Sequence, residues 1–112
     1  MPLTLRAVSL NDQPITEPFA ATFGVEGGSI GRSDANTLAL PDPERRISRR
    51  QAEIAPAGAG WTIRNVGSAN PIIVGDRSLG QGETAALVAE TRLRIGGYLL
   101  EGLRELQQKH AL

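Results

Sequence analysis

The segment Arg45-Arg46-Ile47-Ser48-Arg49-Arg50-Gln51 sets a single hydroxyl between two pairs of guanidinium groups. A guanidinium is a planar fork of N–H donors that matches the oxygens of a phosphate, and a serine hydroxyl adds one short donor beside it. Immediately afterwards Gln51-Ala52-Glu53-Ile54 alternates polar and apolar residues, as a strand does. A basic loop anchored to a strand in this way is a candidate phosphate grip. Two further stretches of compatible chemistry flank it: Gly31-Arg32-Ser33 before it, and Gly67-Ser68-Ala69-Asn70 after it. Taken alone, the basic run reads equally well as a solvated turn. Arg45-Arg46-Ile47-Ser48 is also the pattern of a basophilic-kinase substrate, with Ser48 receiving phosphate rather than holding it.

Other chemistry is poorly supplied. His110 is the only histidine and lies near the end of the chain, so a serine nucleophile has no base and no catalytic residue is expected. Gly27-Gly28-Ser29-Ile30-Gly31-Arg32 lacks the Gly-Lys-Ser/Thr ending of a phosphate-binding P-loop. The carboxylates of Asp34, Asp42, Glu44 and Glu53 follow no metal-ligand or acid/base spacing, and there is no cysteine to supply a thiolate or a disulfide. No metal and no cofactor are therefore expected.

Twelve basic and twelve acidic residues cancel, and the aromatics are Trp61, Tyr98, Phe19 and Phe23 alone, which argues against a nucleic-acid partner. The start, Met1-Pro2-Leu3-Thr4-Leu5-Arg6, has no signal-peptide pattern, and no apolar run is long enough to span a bilayer. These features predict a cytoplasmic protein without membrane insertion.

The elements that must position the basic loop are strands. Leu3 to Leu10 alternates, Asn11-Asp12-Gln13-Pro14 is turn chemistry, and Phe19 to Val25 reads as a second strand. Short strands are predicted at Ser29–Gly31, Thr37–Leu40 and Gln51–Ala55, followed by a loop over Pro56–Gly60. Further strands follow over Trp61–Asn65 (Trp61 and Ile63 towards the core), Ile72–Val74, Arg77–Leu79, Thr84–Leu87, Thr91–Ile95 and Tyr98–Leu100. Thirteen glycines and seven prolines punctuate them. This is the composition of an all-β sandwich, and 112 residues suffice for one domain. Arg104 to Leu112 lacks breakers, and it reads as a short helix or the beginning of a linker.

In order along the chain, Gly31-Arg32-Ser33, Ile47-Ser48-Arg49-Arg50-Gln51, Gly67-Ser68-Ala69-Asn70 and Ile95-Gly96 resemble the forkhead-associated (FHA) domain. The family pattern is Gly-Arg, Ser-x-x-His, Ser-x-Asn-Gly and a final Ile-Gly. The resemblance covers about residues 3–103. It implies an eleven-stranded β-sandwich over residues 1–103, with 104–112 as a tail or linker, and binding loops at one end. It also implies a non-catalytic module that takes a protein partner through phosphothreonine. Arg32, Ser48 and Arg49 would contact phosphate, Ser68, Ala69 and Asn70 would face the peptide, and Gly31 and Gln51 would brace the loops. Gly31 itself reads as a left-handed position, a close-approach point or an ordinary strand end. The layout with Leu40-Pro41-Asp42-Pro43 ahead of the serine resembles FHA domains of bacterial type VI secretion systems.

Three positions depart from the pattern. The family histidine is Gln51, whose amide supplies both a donor and an acceptor. Ala69 has no hydroxyl where the family often has threonine. Pro71 replaces glycine and pushes Asn70 towards an extended backbone. These departures leave open a second implication, a scaffold of the same fold that binds its partner without phosphate.

Overall fold

The computed structural model describes residues 2–88 and 90–103. The chain forms eleven strands: β1 (Leu3–Leu10), β2 (Gln13–Phe23), β3 (Gly28–Gly31), β4 (Leu38–Ala39), β5 (Ala52–Ala57), β6 (Gly60–Asn65), β7 (Ile72–Val74), β8 (Arg77–Leu79), β9 (Thr84–Leu87), β10 (Arg92–Ile95) and β11 (Tyr98–Leu103). They make a six-stranded sheet in the order β2-β1-β11-β10-β7-β8 and a five-stranded sheet in the order β4-β3-β5-β6-β9. Every pairing is antiparallel except β3 with β4. The fold is the expected all-β sandwich. The reading of Arg104 to Leu112 as helix or linker lies outside the described residues.

Alternation along the strands builds the core. Leu3, Leu5 and Ala7 of β1, Ile63 of β6, Leu93 and Ile95 of β10 and Leu100 of β11 all point between the sheets and are buried. Trp61 packs against this core while remaining partly exposed. Ile47, from the basic loop, is also buried. A Cβ on Gly96 would fall 2.6 Å from its Cγ1, so the glycine of the β10–β11 turn leaves the space that Ile47 fills.

Several predicted boundaries differ, three of them in ways that proline and turn chemistry explain. The first turn is only Asn11 and Asp12, both with positive φ (51° and 65°), and β2 starts at Gln13 with Pro14 opposite Ser9. Pro14 is tolerated because β2 is an edge strand, and Pro18 falls where the register shifts opposite Val8. Pro56 likewise stays within β5, opposite Trp61, so the turn there shrinks to Gly58 and Ala59. Val25 leaves the strand: β2 ends at Phe23, and a Gly24–Gly27 bridge turns the chain with Val25 86% exposed.

Antiparallel pairing fixes which loops meet. The C-terminal ends of β3, β6 and β10 and the N-terminal end of β5 lie at one end of the sandwich, together with the β1–β2 turn. The opposite end carries Pro2, Val25, Pro56 and Trp61 around an open cleft of about 490 Å³ that contains none of the predicted site residues.

Candidate functional site

The chain beyond β3 runs beside the basic loop. Arg32 N donates to Ser48 O at 3.0 Å and Ser33 N to Arg49 O at 3.2 Å, so the Gly-Arg-Ser stretch and the serine motif are adjacent main chains. Gly31 has an ordinary φ, and a Cβ there would run into the Arg49 carbonyl. Close approach is therefore why glycine stands at this position. Asn36 locks the same contact: its Nδ2 donates to Ser33 O at 2.8 Å and to Arg49 O at 2.6 Å. The Arg32 side chain is drawn back to the loop by Nε donating to Ile47 O at 3.1 Å.

Gln51, 1% exposed, joins all the loops. Its Oε1 accepts from Ser48 N at 2.8 Å, while Nε2 donates to Asn65 Oδ1 at 2.9 Å and to Asn70 O at 3.0 Å. Its main-chain oxygen accepts from Val66 N and Gly67 N. Asn65, equally buried, completes the node: Oδ1 also accepts from Gly67 N at 3.0 Å, and Nδ2 donates to Leu79 O at 2.9 Å. A Cβ on Gly67 would crowd the Gln51 amide and lie 2.8 Å from Ser48 Oγ, so this glycine too is a close-approach point.

Ser48 Oγ accepts main-chain N–H bonds from Ser68 at 3.2 Å and Ala69 at 3.1 Å. With two lone pairs committed to acceptance, a hydroxyl keeps its single proton for an outside acceptor. Asn70, although exposed, uses its Nδ2 on Arg46 O at 2.8 Å, which ties the 65–71 loop to the basic loop. Ser68, Ala69 and Asn70 form the exposed rim.

The cations at this end are unequally engaged. Arg46 pairs with Glu44 at 2.9 Å and Arg50 with Glu53 at 3.2 Å. Among the described residues, the side chains of Arg45 and Arg49 have no hydrogen-bond or ion-pair partner. Arg49 lines an open cleft of about 210 Å³ with Ser29, Ser33, Ala35, Asn36 and Arg50. The geometry therefore leaves guanidinium groups and one hydroxyl proton facing solvent around a rigid floor of main-chain bonds, the composition needed to hold an anion.

Several supporting residues were given no site role by the sequence. Asp42, nearly buried, accepts from Ile47 N at 2.6 Å through Oδ2, and its main-chain oxygen accepts from Arg45 N, which holds Arg45 at φ 57°. Tyr98 donates its hydroxyl to Pro41 O at 2.6 Å. Burial raises the Tyr98 pKa above the usual tyrosine value, and the nearby Asp42 carboxylate raises it further. An Asx residue ahead of a turn was the available signal for Asp42. Asn36 and Asn65 carry no comparable local mark. Among the described residues there is no cluster of three or more groups able to hold a metal ion, and no helix long and apolar enough to cross a membrane.

The family model of the FHA domain matches residues 28–96, which include every one of these loops. The chain belongs to the FHA-domain family. FHA domains are non-catalytic interaction modules that bind phosphothreonine peptides. Solved structures share the fold. Mycobacterium tuberculosis EmbR in complex with a low-affinity phosphopeptide is 19% identical with a TM-score of 0.72, over 91% of this chain and 24% of EmbR. This chain thus spans about a quarter of EmbR. The FHA domain of CT664 from Chlamydia trachomatis is 20% identical (TM-score 0.72), over 93% of this chain and 98% of that one. The N-terminal FHA domain of Saccharomyces cerevisiae Rad53p, solved with a phosphothreonine peptide, is 12% identical (TM-score 0.70), over 97% and 99%. No curated protein sequence matches the chain.

Proposed function

We propose that this FHA domain reads phosphothreonine on a protein partner through Arg32, Ser48 and Arg49, with Ser68, Ala69 and Asn70 against the peptide and Gly31 and Gln51 bracing the loops. The observation that carries the reading is Ser48: its Oγ accepts from two main-chain amides, so its proton is left for a phosphate oxygen, next to Arg49, whose side chain has no partner among the described residues. The kinase-substrate reading of Ser48 would require that hydroxyl to leave both amides. The domain is residues 1–103, with 104–112 as tail or linker, and its setting is cytoplasmic. The Leu40-Pro41-Asp42-Pro43 resemblance supports a place in regulation of a bacterial type VI secretion system.

One observation favours the phosphate-independent alternative. Asn70 Nδ2, the group that would grip the peptide main chain, is turned onto Arg46 O by one of its two N–H bonds, and Ala69 offers no hydroxyl. Arg49→Ala separates the two readings, because that side chain has no partner among the described residues to lose and the fold is expected to stand. Under the phosphate reading, one lost charge-assisted bond weakens a phosphothreonine peptide by about 1.5–3 kcal/mol, roughly ten- to hundredfold. Binding unchanged in Arg49→Ala, at an unchanged melting temperature, would support the scaffold instead.

A further inference from the structure

The two sheets end in four edge strands, and an edge strand carries a row of main-chain N–H and C=O groups open to another strand. Three of the edges are short: β8 has three residues, β4 two and β9 four. The fourth is β2, which at 11 residues is the longest strand among the described residues and has only β1 beside it. Its first half is guarded. Pro14 and Pro18 have no N–H to offer, and Glu17 sets a charge on the edge. Its second half, Phe19-Ala20-Ala21-Thr22-Phe23, contains neither a proline nor a charge.

This unguarded half is nearly a palindrome. Antiparallel pairing of two copies about Ala21 sets Phe19 opposite Phe23 of the second copy, Ala20 opposite Thr22, and Ala21 opposite Ala21. Each pair matches in face as well as in type. Phe19, Ala21 and Phe23 turn towards the core, while Ala20 and Thr22 are exposed on the outer face. The outer row is small: Thr22 bonds Thr4 at 2.9 Å, and Ala20 stands opposite Arg6. Nothing bulky on that row bars a second backbone at the usual spacing of roughly 4.8 Å. On the inner row Phe19 is only partly buried against Tyr98, and an added strand would cover its open side. The ladder also has natural ends. The next residues to meet are Gly24 and Pro18, and Pro18 cannot donate.

We infer that the chain self-associates as a two-fold dimer through antiparallel pairing of β2 over Phe19–Phe23, which joins two six-stranded sheets into one continuous sheet. The occupant of the edge is a second copy because the segment carries its own complement, in residue size, in face and in the points where pairing stops. Five residues make a short ladder, so the association is reversible and concentration-dependent rather than obligate. Phe23 lies opposite Leu3, so the pairing uses the half of β2 remote from the Asn11–Asp12 turn and leaves the phosphate loops open. The paired strands run in opposite directions, and the two loop ends therefore point opposite ways. Such a dimer joins two phosphorylated partner molecules instead of clamping one. That consequence rests on the phosphothreonine reading; the pairing itself does not.

The test is sedimentation velocity of the whole chain over a concentration series, in which monomer should give way to dimer below about 1 mM. Ala20→Glu with Thr22→Glu sets like charges opposite each other at two pairs and should weaken the dimer at least about tenfold. Ala20→Lys with Thr22→Lys should do the same. Mixed one to one, the two variants should associate again, because opposite charges then meet at both pairs. Amide exchange of the parent, which needs no variant to fold, should slow over Ala20–Thr22 as concentration rises and stay constant in β8. A chain that remains monomeric up to about 1 mM overturns the inference. So does a dimer that survives either double substitution, a mixture that stays monomeric, or exchange protection gained only outside β2. Each of these results leaves the phosphate reading intact, since that reading stands or falls on the phosphothreonine peptide alone.

Discussion

Gln51 shows how one side chain can set the geometry of three loops. Its amide satisfies Ser48 N, Asn65 Oδ1 and Asn70 O at once, in a site closed to water. Gln51→Ala leaves those groups unpaired and should cost about 1–3 kcal/mol, a fall of several degrees in melting temperature. Gln51→His should be milder but not neutral, because a neutral imidazole has one N–H where the amide donates twice. Equal melting temperatures for the alanine variant and the parent would contradict the bracing role. At this scale the sequence marked the basic loop as a place where arginines crowd a hydroxyl, but it left Gly31 open among three readings, of which the structure shows close approach. It was not readable for Asn36 or Asn65, whose long-range partners lie 13 to 14 residues away at Arg49, Gln51 and Leu79 and come within reach only after the strands have paired.

At the scale of elements, the loop between β4 and β5 is fixed by two anchors. Asp42 holds its near end through Ile47 N, and Tyr98 of β11 holds Pro41 O from the other sheet while packing edge-on against Phe19, ring centroids 6.1 Å apart. Tyr98→Phe removes that bond and should cost about 0.5–1.5 kcal/mol at neutral pH. The pH dependence has a definite sign. Folding raises the Tyr98 pKa, so the associated stability is complete below the unfolded value of about 10 and is lost as pH rises through the raised folded value. Parent and Tyr98→Phe should therefore converge in urea denaturation at alkaline pH. Since the chain has one tyrosine, phenolate absorbance reports the same group directly. A stability gap that stays constant across that range would contradict the linkage. The positions of the strands along the chain were legible from alternation, but the ends of β2 and β5 were not. Proline excludes a residue from a ladder only where its missing N–H is needed, and edge position or bulging is a property of the sheet rather than of the segment.

Across the whole molecule, antiparallel pairing brings segments from four separate stretches to one end, and the fold spends its buried polar bonds there. Neutral overall charge conceals this, because Glu44 and Glu53 pair with Arg46 and Arg50 at the same end and leave Arg45 and Arg49 without a partner among the described residues. The all-β class and the family were legible because the ordered motifs survive changes in the residues between them. The direction of the Asn70 amide, turned onto Arg46 O, was not, since it depends on where Arg46 comes to rest. The account as a whole stands on recognition of phosphate. Its most direct test is calorimetric titration of the intact chain with one degenerate phosphothreonine peptide pool and with the same pool unphosphorylated. Binding to the phosphorylated pool should be measurable and weaken with added salt, and binding to the other should be at least tenfold weaker, the loss expected for even one bond to a charged group. Equal binding to both pools would contradict it.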